Sequence, residues 1–267
     1  MLSMERFCES RQLRNKLLNI HYCGGNGGEF LASYLLRHDK FNQEKNNSVD
    51  KNLEKYTFER DKYDLLSQSY ISLDGDFERR DPKLFTYSPK KFFEKYWTTS
   101  PDKWTLRVDH GYGYNVQTEE WRKGLYTDWN VSKTIILQPT TEEGAKYCRD
   151  LADIKVRGRG KGENKHKLDG ISLRKRFHGY DIWNRPFEFN LALTQEYKDL
   201  IPEGYDYLEV DPMKVLHTDS EEEREEQLIR IFDYLDFDYS ILDLGIILCE
   251  NYRKNNLELH KSVFSNN

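Results

Sequence analysis

The sequence predicts an α/β fold with a central, mainly parallel sheet flanked by helices. The first observation is Leu17–Cys23 (LLNIHYC), a short β-like run that passes through Gly24-Gly25-Asn26-Gly27-Gly28 into EFLASYLLRH. Phe30, Leu31, Tyr34 and Leu35 recur there at helical spacing. Strand, glycine loop and helix in that order open a nucleotide-binding α/β fold. The second and third are later strand-like runs, Ser132–Leu137 (SKTIIL) and Tyr205–Val210 (YDYLEV), each leading toward a helical segment.

The remaining elements follow in chain order. Residues 1–15 read as a polar helix or arm. Between residues 40 and 104, thirteen aromatics are interleaved with charges and Pro82, Pro89 and Pro101 interrupt the run. This predicts an insertion of short helices and loops within a single domain spanning 1–267. Trp104–Val108 (WTLRV) reads as a strand ending at Asp109-His110-Gly111-Tyr112-Gly113. Thr140-Thr141-Glu142-Glu143 signals the start of a helix running through Leu151. Lys155–Lys167 alternates bases with glycines and predicts a mobile basic loop, extending to about residue 176. Asp211-Pro212 ends the late strand, and Asp219-Ser220 begins a helix with Leu228, Ile231, Phe232 and Leu235 on one face. Glu221, Glu222 and Glu223 fall in its first turn, where the macrodipole favours negative charge. A last helix is expected from about Tyr239 into Tyr252.

Composition narrows the function classes. The 41 Lys+Arg against 46 Asp+Glu leave a net charge of -5, which argues against a nucleic-acid surface. The charge is uneven: residues 155–176 carry nine Lys/Arg and two acids, net +7, so the rest of the chain stands at -12. No run approaches the roughly 18–20 apolar residues of a membrane span. Cys8, Cys23, Cys148 and Cys249 form no metal-like CxxC pair. With no secretory signal at the start, reduced thiols and a cytoplasmic location are expected.

Three features carry chemistry. The glycine loop is either a phosphate cradle, offering backbone N–H groups and a helix N-terminus to an anion, or a plain turn. GxxxxGK[ST] and GxGxxG both fail on it. His110, just beyond a strand end, is either a general base for a substrate hydroxyl or a loop histidine. Arg157, Arg159 and Lys161, separated by glycines, are either a lid over a phosphate or sulfate or a solvated loop.

In their order, these pieces resemble the sulfotransferase family that uses 3′-phosphoadenosine 5′-phosphosulfate. Its P-K-T-G-G-T-S-L loop is similar to Gly24-Gly25-Asn26-Gly27-Gly28-Glu29-Phe30-Leu31, with Gly25 at the family's phosphate-binding lysine. Leu106–His110 resembles the strand ending in a basic residue and the catalytic histidine. Lys133–Thr140 (KTIILQPT) is similar to the strand ending in R-x-P, with Gln138 at the arginine that holds the 3′-phosphate. Tyr207–Val215 and the helix through Phe237 resemble the late strand, acidic turn and helix.

The resemblance implies a three-layer, P-loop-like fold and in-line transfer of a sulfonate to a hydroxyl or amine. It implies His110 as base, and Gly24, Gly25, Asn26, Gly27, Gly28, Glu29, Phe30 and Gln138 at the donor. Arg157, Arg159 and Lys161 would restore the missing cations, or Arg174 and Arg176 beyond them, and no metal is required. The acceptor stays open among sugar, lipid, peptide and small molecule. Two other readings remain: a nonstandard P-loop kinase or nucleoside-triphosphate enzyme, and an inactive relative that binds a partner or anionic glycan.

Overall fold

The computed structural model describes residues 16–41, 70–72, 104–109, 131–159 and 184–264. Within them lie β1 (Lys16–Tyr22), α1 (Gly28–Leu35), β2 (Tyr70–Ser72), β3 (Trp104–Asp109), β4 (Val131–Leu137) and α2 (Glu142–Arg159). There follow α3 (Pro186–Leu200), β5 (Tyr207–Val210), α4 (Pro212–Val215), α5 (Glu221–Leu235) and α6 (Leu242–Phe264). The five strands form one sheet in the order β2-β3-β1-β4-β5, and every pairing is parallel. The mixed α/β class and the parallel sheet read from the sequence are both present.

β1 occupies the centre, and its Leu17, Leu18 and Ile20 are completely buried. A strand covered on both faces reads as a nearly continuous apolar run, and LLNIHY is one. Successive residues point to opposite faces. In β4, Ile135 and Leu137 join the cluster that includes Leu18, Ile20 and the apolar sides of α1, α5 and α6. Ile136 joins the cluster of Phe189, Leu193 and Tyr197 from α3. Apolar helices therefore cover both faces of β4.

Element ends follow local chemistry. α1 stops at Leu35, short of the expected His38, because the chain tightens into three-residue bonds from Arg37 N–H to Tyr34 O and from His38 N–H to Leu35 O. His38 is completely buried beside Phe237, with its Nε2 3.1 Å from the Asp238 carbonyl. It ties the end of α1 to the α5–α6 connection. Ser220 caps α5 by accepting the Glu223 N–H at 3.1 Å, as the sequence signal predicts.

The structure corrects four expectations. The stretch expected to be a mobile loop from Lys155 begins as helix, since α2 continues through Arg159. Gly158 costs only about 1 kcal/mol in a helix, and Arg and Lys are favoured in its last turn. Residues 160–176, including Lys161, Arg174 and Arg176, lie outside the described residues. The aromatic segment 40–104 contributes strand β2 to the sheet, and the rest of it after Phe41, up to Trp104, lies outside them, as do residues 1–15. The last helix is displaced toward the C-terminus, starting at Leu242 and reaching Phe264. α3 was not anticipated, although Pro186 in its first turn and the spacing of Phe189, Leu193 and Tyr197 signal it.

Candidate functional site

Parallel strands bring their carboxyl ends to one edge of the sheet. The register pairs His21 with Asp109, Tyr22 with Leu137, and Leu137 with Val210. The glycine loop, Gln138 and Asp211 therefore follow adjacent strand ends. From β1 the chain enters α1, which packs with Leu18 and Ile20. From β4 it passes through α2 to α3, which packs against the opposite face through Ile136. Neighbouring connections thus leave this carboxyl edge toward opposite faces, the place where α/β sheets bind ligands, although the loop residues Cys23 to Gly28 are themselves buried.

The loop is firmly built. Gly25 and Gly27 adopt φ of 90° and 79°, the left-handed region that favours glycine. A Cβ at Gly25 would stand 1.8 Å from the Cys148 backbone oxygen in α2, so helix and loop meet backbone to backbone. At Gly27 a Cβ would meet Leu216 at 2.4 Å and the Tyr252 hydroxyl at 3.2 Å. Asn26 is completely buried. Its Nδ2 donates to Leu137 O at 2.9 Å and to Asn190 Oδ1 at 3.1 Å, and Asn190 Nδ2 donates to Pro186 O at 2.8 Å. One side chain thus fastens the loop to the end of β4 and the start of α3.

The other strand ends are tied together. Asp211 accepts from the Thr140 N–H at 3.2 Å and from the Thr140 hydroxyl, and its other oxygen caps α4 through the Met213 N–H at 2.9 Å. Gln138 N–H donates to Val210 O at 3.0 Å. The Gln138 side chain lines an open groove of about 520 Å³ with Glu188, Thr194, Gln195, Lys198 and Glu209. Among the described residues, Lys198 of this groove pairs with Glu209 at 2.8 Å, and Arg185 just before α3 pairs with Glu188 at 2.5 Å.

A row of rings runs from the loop along the α2–α6 contact. Phe30 stacks on Tyr252 at 4.3 Å, Tyr252 lies 5.6 Å from His217, His217 lies 4.9 Å from Tyr147, and Tyr147 lies 5.0 Å from His260. Burial, aided by nearby Cys148, pushes the Tyr147 hydroxyl up to about 12. His260 Nε2 stands 3.3 Å from Asp150 Oδ2, whose other oxygen takes two Arg149 bonds at 2.9 and 2.5 Å. Sequence reasoning passed over this polar group because its members come from three separated elements. Only the i, i+3 spacing of Tyr147 and Asp150 on α2 hinted at a shared face.

The sequence-based site residues divide three ways. Gly24 through Gly28, Glu29 and Gln138 do come to the carboxyl edge together, joined by the Asn26–Leu137 bond. Phe30 lies in the core, 2% exposed. Arg157 and Arg159 occupy the last turn of α2, with their side chains outside the described set, and His110 and Lys161 lie outside the described residues. Among the described residues, His38, Asp39 and Asp238 stand close enough to share a metal ion. His38 Nδ1, however, already accepts the Lys40 N–H at 3.1 Å. Cys23, Cys148 and Cys249 are buried and form no disulfide with one another. No described helix is long and apolar enough to cross a membrane. No family model, curated protein or solved structure matches the chain.

Proposed function

We propose that the chain is a sulfotransferase-like enzyme with a P-loop-like, three-layer fold, moving a sulfonate from 3′-phosphoadenosine 5′-phosphosulfate to a hydroxyl or amine. The observation that carries this reading is the glycine loop at the carboxyl end of the central parallel strand, leading directly into α1. β3, whose last residue Asp109 pairs with His21 of that strand, is followed in the sequence by His110.

The donor supplies the sulfonate and a phosphate leaving group. A helix N-terminus with glycine backbone is chemically suited to its 5′-phosphate, so Gly24–Glu29 would orient that end. The lysine of the resembled family has no room here, because a side chain at Gly25 would run into the Cys148 carbonyl. Charge must then come from elsewhere, and Arg157 and Arg159 at the end of α2, with Lys161 beyond, are the sequence's densest supply. His110 would take the proton of the acceptor as its oxygen or nitrogen attacks. His110→Ala should lower turnover by about 10²-fold or more while leaving 3′-phosphoadenosine 5′-phosphate binding intact. Unchanged turnover would remove the base.

The close packing at Gly25 also favours a second reading, a fold of this kind that binds a partner without transfer. In that case His110→Ala leaves function untouched. Magnesium-dependent ATP binding would instead point to the kinase-like reading.

A further inference from the structure

We infer that the Gly25 turn of the proposed donor loop is held shut by α2, and that the Asp150–His260 contact between α2 and α6 is the latch governing its opening. This rests on the donor reading above. Every residue from Cys23 to Gly28 is buried. The group nearest to where a Gly25 side chain would stand is the Cys148 carbonyl oxygen of α2. A carbonyl oxygen repels a phosphate, which likewise offers only acceptors. An anion can therefore reach the Gly25 backbone only after α2 and the loop separate.

What holds α2 there is unequal along its length. Near the loop, Ala145, Cys148 and Leu151 are completely buried, and such apolar packing resists opening. At the α6 side the contact is polar and partly open: the side chains of His260 and Asp150 are 24% and 11% exposed, and they meet at 3.3 Å. Tyr147 and Phe264 flank the His260 ring at 5.0 and 4.9 Å. A single, partly exposed polar contact is weak beside the apolar packing around it. Such a contact biases a two-state position without locking it. A ligand that binds only the open arrangement loses apparent affinity in proportion to the closed fraction. Weakening the latch therefore tightens binding.

The test uses the full chain, His260→Phe, which keeps ring packing, and Asp150→Asn, which keeps shape. Amide hydrogen exchange at residues 24–30 and calorimetric titration with 3′-phosphoadenosine 5′-phosphate are measured on all three. Both variants should exchange faster at the loop and bind the nucleotide about 2- to 5-fold more tightly than the parent. Where the parent binds the nucleotide, equal or weaker binding in both variants, or unchanged loop exchange, overturns the latch while leaving the donor reading standing. Faster exchange with no nucleotide binding in any of the three proteins overturns the donor role and keeps α2 only as a cover of the loop.

Discussion

Gly25 concentrates the physics of the loop in one residue. Its φ of 90° is unfavourable for any residue with a Cβ, and the Cys148 oxygen occupies the place a Cβ would take. Gly204 provides the control, since its φ of 88° is similar but nothing lies within 4 Å of an added Cβ. Gly204→Ala should therefore cost only about 1–2 kcal/mol, the backbone term alone. Gly25→Ala should cost clearly more, about 3 kcal/mol or above, because backbone must shift as well. Urea denaturation of the pair checks this, and equal losses would mean that the loop–α2 contact is loose. The glycines were legible in the sequence as a loop. Their packing was not, because the atoms that crowd Gly25 belong to Cys148, more than a hundred residues away. Asn26 is similar: it reads as a polar loop residue until Leu137 and Asn190 supply its partners.

Among elements, α5 and α6 share an apolar cluster and are also joined by one carboxylate. Glu250 on α6 meets Arg224 of α5 at 2.7 Å, and on its own helix Arg253 at 2.9 Å and Lys254 at 3.3 Å. The Arg253 hydrogen bond above all, then Lys254 and the nearby Arg charges, hold its carboxyl down to about 2 against an ordinary 4.5, with burial working the other way. A carboxyl lowered on folding stabilises the folded state above its unfolded pKa, and that contribution disappears as pH falls through the folded one. Stability should therefore drop between about pH 4.5 and 2. Glu250→Gln should remove that part of the acid dependence in denaturation midpoints measured across the range. An identical pH profile in the variant would place the acid sensitivity elsewhere.

Elements with strong local signals were read well from sequence. Ser220 announces α5 and three glutamates follow it. Where the signal was compositional the reading went astray. Alternating bases and glycines suggested a loop from Lys155, yet five of those residues extend α2. β2 is three residues long in an aromatic-rich stretch, too short to show a period.

For the molecule as a whole, five parallel strands with β1 at the centre bring the glycine loop, Gln138 and Asp211 to one edge. The sequence predicted the class and the place of the loop because both depend on local runs of apolar residues and glycines. It could not predict that α2 and the ring row of Tyr147, His217, Tyr252 and His260 would gather beside that loop. Those contacts join residues from distant parts of the chain. The net charge of +7 over residues 155–176 begins within α2, at Lys155, Arg157 and Arg159.

In the proposed reading, the glycine loop at the end of β1 receives the phosphate end of an adenosine phosphosulfate. Calorimetric titration of the full chain with 3′-phosphoadenosine 5′-phosphate tests it most directly. Saturable binding of one nucleotide per chain is expected, weakened by added salt as charge pairing requires. No heat of binding up to millimolar nucleotide would contradict it.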